Sequence, residues 1–216
     1  NIPYVGADTQ SSTLCMNKVL TKKILDASNI KQADCLHFFK ENIELNDETL
    51  TKIISKLKLP LFVKPANTGS SIGISKVSND SELKEAIKLA FNYSREVVIE
   101  RGINAREIEC SVIGDFINIE ASYPGEIIPK RDFYDYEAKY VDTDTELVIP
   151  ANLDTTMINL VKETSKTCFK LLGCYGMARV DFLLDKETNE LYLNEINTIP
   201  GFTSISMYPK LWEYSG

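Results

Sequence analysis

The chain carries one histidine, His37, in 216 residues. A zinc-protease helix needs two histidines, and a Ser-His-Asp triad needs one poised beside a nucleophile. His37 lies inside the apolar run CLHFF and reads as a packed structural residue. Cysteine is present without organisation. Cys15, Cys35, Cys110, Cys168 and Cys174 are scattered, odd in number and contain no C-x-x-C pair. That pattern excludes a zinc ribbon or a disulfide framework and fits reduced cytoplasmic thiols. No run of about 18 apolar residues occurs, so no membrane span is expected, and no signal-peptide pattern is seen. Positive charge is also short: 24 Lys and Arg against 31 Asp and Glu, a net −7. That balance argues against a nucleic-acid or anionic-membrane surface. The length allows one large or two small domains with a real core. The opening at Asn1 and the end at Gly216 read as cuts from a longer chain.

Periodicity and turn signals give the elements. Met16, Val19, Leu20 and Ile24 predict a first helix, and ADCLHFF a strand. Asn46 caps a helix whose inner face is Leu50, Ile53, Ile54 and Leu57. LPLFVKP and SIGISKV are short strands, and Asn79 with Glu82 forms a capping box for a helix to about Tyr93. EVVIE is a strand, and EIECSVIGDFINIEA is a hairpin turning at Gly114-Asp115. Residues 124–150 have no clean period and read as a loop, either functional or disordered. Asp154 caps a long helix ending before Gly173, and MARVDFLLD with ELYLNEIN makes a last hairpin. Strands and helices mix without strict βαβ alternation, which predicts an α+β fold with antiparallel sheets.

That last hairpin carries the sharpest chemistry. Strict alternation puts Glu195 and Asn197 on the face of Leu191 and Leu193. With Thr188 at the centre of the turn, Asp181 faces Glu195 and Arg179 faces Asn197. Opposed carboxylates about 4.5–5.5 Å apart at Cβ destabilise a sheet. A hard cation between them removes the conflict, and an Asp, Glu and amide oxygen set suits Mg²⁺ or Mn²⁺. Arg179 would then face a substrate oxygen or phosphoryl group. An ion-paired network around Arg179 without metal explains the same residues, and the hairpin alone leaves both readings open.

A second candidate is KPANTGSSIGISK, residues 64–76, between two strands. Gly69, Ser70, Ser71 and Gly73 can turn successive N–H groups toward phosphate oxygens, and Lys64 adds a charge. It is not a Walker loop, because G-x-x-x-x-G-K-[ST] is absent. A solubilising hairpin loop is the plain alternative. Downstream, Glu100 to Ile103 could offer main-chain groups to an adenine edge and Glu107 could accept ribose hydroxyls. Solvated charges are the alternative there.

Taken in order, these pieces resemble the ATP-grasp enzymes, specifically the D-alanine–D-alanine ligases. The resemblance rests on MNK at 16–18, FVKPANTGSSIGISKV at 62–77, VIERGINAREIE at 98–109, FYDYEAKY at 133–140, ARVDF at 178–182 and LNEINTIPGFTSIS at 193–206. It implies an ATP-grasp fold, two α+β subdomains clasping ATP between antiparallel sheets. Residues 1–15 would be a link from a missing N-terminal domain, 16–101 the central subdomain and 102–216 the C-terminal one, with a mobile ω-loop at about 124–150. Lys18 and Lys64 would hold α/β phosphates, Ser70 and Ser71 would close over the triphosphate, and Lys139 would reach the γ-phosphate. Glu100, Arg101, Ile103 and Glu107 would take adenine and ribose. Asp181, Glu195 and Asn197 would hold two Mg²⁺ ions, with Mn²⁺ as a substitute. Arg179 and the Gly201 N–H would stabilise an oxyanion, Ser70 and Tyr140 would meet across the closed site, and Ser206 with Met207 would meet the second substrate.

The activity so implied is ATP-dependent joining of two D-alanines through an acyl phosphate, for peptidoglycan precursors, by a cytoplasmic homodimer that uses no nucleic acid or membrane. The family motif commonly has Asp where this chain has Asn17. The glutamate that grips the first D-alanine, with its N-terminal domain, and the family's terminal helix are expected to lie outside the chain. Ligases for D-serine or D-lactate are the near alternative. Tyr140, where D-lactate ligases carry histidine, and Met207, where resistance-type ligases tend to carry arginine, favour D-alanine. A nucleotide-binding module without turnover is the distant alternative.

Overall fold

A computed structural model describes residues 2, 4–128 and 146–216. Two antiparallel sheets organise the chain. The first has four strands, β1 (Cys35–Phe39), β2 (Leu61–Pro65), β3 (Ser75–Val77) and β4 (Glu96–Arg101), in the order β1-β4-β2-β3. Alternation sends Leu61, Val63, Val97 and Ile99 to one face. There they pack under α3 (Asp47–Leu57) and α4 (Asp80–Phe91), against Leu50, Ile53, Leu83 and Ile87. The opposite face carries Lys64, Val98 and Glu100.

Asn46 caps α3 as expected, accepting the Thr49 N–H at 2.9 Å. The box at α4 is only half formed. Glu82 accepts the Ser78 N–H at 2.7 Å, while the Asn79 side chain makes no cap bond.

The second sheet contains β5 (Ala105–Gly114), β6 (Ile119–Ala121), β7 (Gly125–Ile128), β8 (Glu146–Val148), β9 (Gly176–Asp185) and β10 (Leu191–Asn197). Its order is β10-β9-β5-β7-β8, with β6 also pairing β5. The expected hairpin turns as read: Asp115 accepts the Ile117 and Asn118 N–H groups at 2.7 and 2.6 Å. Segment 124–150, read as irregular, begins and ends in strands, because β7 pairs with β8. The long helix α5 (Thr155–Leu171), capped by Asp154, packs Val161, Cys168 and Phe169 against Ile108, Cys110, Val180 and Phe182. A last helix, α6 (Met207–Ser215), was not foreseen. It lies on β5, where Ser111 Oγ donates to the Tyr208 carbonyl and Tyr208 Oη donates to that of Val112, both at 3.1 Å.

The single first helix read from the sequence is two, α1 (Thr9–Met16) and α2 (Lys18–Asp26). Asn17 separates them. Its N–H closes α1 on Thr13 O, and its side-chain oxygen accepts the Val19 and Leu20 N–H groups at 3.0 Å. An amide side chain that satisfies the backbone outside a helix ends one helix and starts another. The break rotates the stripe: Met16 and Leu20 are 52% and 41% exposed, and α2 buries Val19, Thr21, Lys22 and Leu25 instead. Leu25 joins the second core, while Val19 meets Ala66 and Val98 on the first sheet. His37 is corrected too. It sits exposed on edge strand β1, where its neighbours Leu36 and Phe38 take the inward positions. The five cysteines are free thiols, as read.

Candidate active site

The hairpin β9–β10 brings the expected quartet together by a route the sequence hides. Leu191 pairs with Leu184 and Leu193 with Phe182, so the turn is centred between Glu187 and Thr188, not on Thr188. Past Leu193 the register shifts at a β-bulge, and Glu195 then pairs with Asp181 and Asn197 with Arg179. The pairs are those expected, but the face is not. The extra residue, Asn194, lets Leu193 and Ile196 both enter the core and turns Glu195 and Asn197 away from the leucines. No carboxylate is forced among apolar side chains.

On that open face, period two aligns Glu107, Glu109 and Ser111 of β5 beside Leu183, Asp181 and Arg179 of β9. Glu109, Asp181 and Glu195 thus form one row across three adjacent strands. Glu109 was missed in the sequence. The signal was there in EIE at 107–109, whose alternation puts both glutamates on one face. Arg179 lies over the row. It donates from Nε and Nη2 to the two Asp181 oxygens at 2.7 Å each and stands 2.9 Å from Glu109. Burial alone would lower the guanidinium's pKa, but Asp181, and after it Glu109, holds it well above its usual value.

Among the described residues, no group of three acidic, histidine or cysteine side chains forms a ready cation cage. The donor set still fits a hard divalent ion. It is all oxygen, with Asp181 and Glu195 directly opposed, and the Asn197 amide oxygen, which accepts the Ile199 N–H at 3.2 Å, keeps a second lone pair. Asp181 would have to divide itself between the cation and Arg179.

The first sheet supplies the other half. Lys64 on β2 and Glu100 on β4 share a face, with Lys64 Nζ 2.7 Å from Glu100 Oε2. Lys64 also reaches over to the second sheet, 3.4 Å from Asn194 Oδ1. Burial pulls its pKa down, yet Glu100 outweighs that and the net shift is upward. Glu100 is 5% exposed, and its other oxygen lies 3.1 Å from Lys22 of α2. Burial would raise its pKa, but Lys22 and Lys64 together lower it to about 2. The Glu100 side chain is therefore committed to two lysines. Lys22 was missed; its signal was only its place one helical turn after Lys18.

Lys18 donates from Nζ to the Thr68 carbonyl at 2.5 Å, which ties α2 to the 64–76 loop. In that loop Ser70 and Ser71 have φ of 52° and 59°, in the left-handed region non-glycine residues rarely enter. Gly73 has φ 73°, and a Cβ there would stand 2.6 Å from the Tyr93 ring and 2.8 Å from Pro65. Residues 102–104 carry the chain from β4 of the first sheet to β5 of the second, so Glu100, Arg101, Ile103 and Glu107 all flank one crossover. Arg101 is engaged at its N–H by the Asp34 carbonyl at 2.9 Å.

At the far end of β10, a Cβ on Gly201 would lie 2.8 Å from Ser206 Oγ, so these two expected residues adjoin. Ser206 Oγ accepts the Thr203 N–H at 3.0 Å and does not cap α6. Met207, expected at the second substrate, is 4% exposed and packs with Ile127 and Leu211; its side chain belongs to the core. Lys139 and Tyr140 lie outside the described residues.

A family model described as D-ala D-ala ligase C-terminus matches residues 24–216. The chain belongs to the D-alanine–D-alanine ligase C-terminal family. The D-alanine–D-alanine ligase B of Clostridium tetani is 51% identical over 215 residues, covering all of this chain and 60% of that protein. The D-alanine–D-alanine ligase of Thermoanaerobacter sp. is 54% identical over 217 residues, with the same coverage. This member of the family thus spans about 60% of those relatives' length. The solved D-alanine–D-alanine ligase of Coxiella burnetii superposes over the whole chain and 56% of its own at TM-score 0.85 and 37% identity. The VanG D-Ala:D-Ser ligase of Enterococcus faecalis does so over 61% of its own chain at 0.86 and 38%. The fold is the ATP-grasp fold of these ligases, as the motifs implied.

Where the resemblance leads one to expect Asp, the structure shows what Asn17 does. The side chain caps α2, a task Asn and Asp perform about equally. Asn17→Asp should leave thermal stability nearly unchanged. Asn17→Ala should cost about 0.5–2 kcal/mol and loosen the end of α2 that carries Lys18. Paired thermal melts of the three proteins check it; equal melting of the alanine variant would remove the cap from the account.

Proposed function

We propose that this chain is the ATP-binding and catalytic core of an ADP-forming D-alanine–D-alanine ligase that supplies peptidoglycan precursors. The observation that carries the reading is the row of Asp181 and Glu195 beneath Arg179, with Lys64 of the other sheet reaching to Asn194 next to it. Relatives about half identical and named as such ligases support it. Residues 16–101 form the central subdomain, residues 102–216 the C-terminal one with an ω-loop near 124–150, and residues 1–15 the link from an N-terminal domain.

In this reading Lys18 and Lys64 hold the α/β phosphates, the Ser70–Ser71 loop covers the triphosphate and Lys139 reaches the γ-phosphate. The crossover from Glu100 and Arg101 to Ile103 takes adenine, and Glu107 takes ribose. Asp181, Glu195 and Asn197 hold two Mg²⁺ or Mn²⁺ ions, which when bound neutralise charge on the transferring phosphoryl group. The carboxylate of one D-alanine attacks the γ-phosphorus, the bond to the bridging oxygen breaks, and ADP leaves. The amine of the second D-alanine then attacks the acyl carbon and displaces phosphate. Arg179 and the Gly201 N–H stabilise the tetrahedral oxyanion, and Ser206 holds the second substrate's carboxylate. Tyr140 meets Ser70 when the ω-loop closes. Such catalysis is positioning and charge stabilisation and needs no histidine base.

The protein would act in the cytoplasm on free D-alanine and ATP, and as a homodimer when complete. No helix among the described residues is long and apolar enough to cross a membrane. The likeness to a D-Ala:D-Ser ligase favours D-serine as the second reading for the second substrate.

The chain of residues 1–216 should bind Mg-ATP in a calorimetric titration and form no dipeptide at high D-alanine, because the first substrate's grip lies in the N-terminal domain. The intact protein should release phosphate with D-alanine and yield D-alanyl-D-alanine by mass. D-alanyl-D-serine as the preferred product selects the second reading. ATP binding without phosphate release by the intact protein would make it a binding module and overturn the ligase.

A further inference from the structure

We infer that Lys22 is a positioning residue that frees the charge of Lys64 for a phosphate. The inference rests on the ATP reading above. Two lysines grip one carboxylate: Lys22 Nζ is 3.1 Å from Glu100 Oε1, and Lys64 Nζ is 2.7 Å from Oε2. Lys22 is 9% exposed and its ammonium meets Glu100, whereas Lys64 also reaches Asn194 Oδ1 on the second sheet at 3.4 Å. A buried lysine costs several kcal/mol in desolvation unless a partner compensates. A Lys64–Glu100 pair alone would be locally complete, and a third charge would add only desolvation.

What Lys22 adds is arithmetic of sign. Lys64 and Glu100 alone sum to zero, and the ammonium would be spent on its partner. With Lys22 the triad carries one net positive charge. Lys64, unlike Lys22, stands where the two sheets meet, beside Glu195 and Glu107 as well as Glu100, and the charge Lys22 adds offsets Glu100 there. The helix makes the division of labour possible. Lys18 and Lys22 are four residues apart on one side of α2, so the first meets the Thr68 carbonyl of the loop while the second meets Glu100 beneath it.

The test compares ATP with adenosine, which has no phosphate, by titration and competition on the purified wild-type, Lys22→Met, Lys22→Arg and Lys22→Met/Glu100→Gln proteins. Lys22→Met should weaken ATP roughly tenfold, as expected for losing one nearby compensating charge, and leave adenosine unmoved. Lys22→Arg should restore ATP affinity. The double variant should restore it too, because removing Glu100's charge returns the net positive charge to Lys64. It also keeps the test open if Lys22→Met alone does not fold. Equal ATP affinity in Lys22→Met, equal losses for ATP and adenosine, or a double variant that stays weak would overturn the inference. Wild-type protein that binds no ATP would overturn the ATP reading itself.

Discussion

On the ligase reading proposed above, Asp181→Asn in the full-length protein should lower metal-dependent turnover by on the order of 10²–10³-fold or more, the scale of losing one charge-stabilising group at a reacting centre. The same variant should also melt earlier. Asp181 and Glu195 are opposed, and relief of their repulsion would by itself argue for a stabilised mutant. The structure reverses that expectation for Asp181. Both its oxygens accept from Arg179 at 2.7 Å, and Arg179 is enclosed. Removing one partner of a buried pair costs about 3–5 kcal/mol when nothing replaces it. Here Glu109, at 2.9 Å, retains part of the charge balance, so the loss should fall toward the lower end. Glu195→Gln should lose turnover to a similar degree. Steady-state rates across a magnesium series, with melts at the same concentrations, separate the two effects. Near-normal turnover of either variant at saturating magnesium would make the row structural.

Glu100→Gln should be the most destabilising single change in the first sheet, at about 3–5 kcal/mol, because it leaves two buried ammonium groups facing each other. The pH dependence carries the same signature. A carboxylate whose folded pKa is depressed contributes stability that is fully present above its unfolded value near 4.5 and is lost as pH falls through the folded value. The folded value for Glu100 is about 2, so the window runs from roughly 4.5 down to 2. The wild-type protein should lose on the order of 3 kcal/mol across it from this group. The variant should show a flatter acid limb from a lower plateau. Denaturant titrations at several acid pH values measure both, and parallel limbs would show that Glu100 is not the carboxylate responsible.

Much of this was legible because it is local. Asn46 and Asp154 cap their helices as read, and alternation in β2, β4 and β5 places the right residues inward. The quartet of the last hairpin was legible as pairs, since spacing in the chain and proximity in a hairpin are nearly the same quantity. Their face was not, because a bulge leaves no mark in composition. The break at Asn17 was missed for a related reason: apolar spacing continues smoothly across it, and only the amide's competition with the backbone ends the helix. Lys22 and Glu109 depend on partners 78 and 70 residues distant, Glu100 and Arg179. α6 escaped because its apolar face is completed by Ile127 of β7.

The bulge at Asn194 also separates what can vary from what cannot. Between the turn and Leu193 the two strands keep one register, and beyond it they keep another. Lengthening or trimming the exposed tip near Glu187 to Glu190 changes how the strands are joined but leaves both registers standing. A single codon lost between Leu193 and Glu195 has no such refuge. It would restore unbroken alternation and send either the carboxylate or Ile196 to the opposite side. Natural insertions and deletions in this hairpin should therefore gather at its tip and be absent from its base, and a library of one-residue deletions along 186–197, sorted for folded protein and then for turnover, should reproduce that boundary.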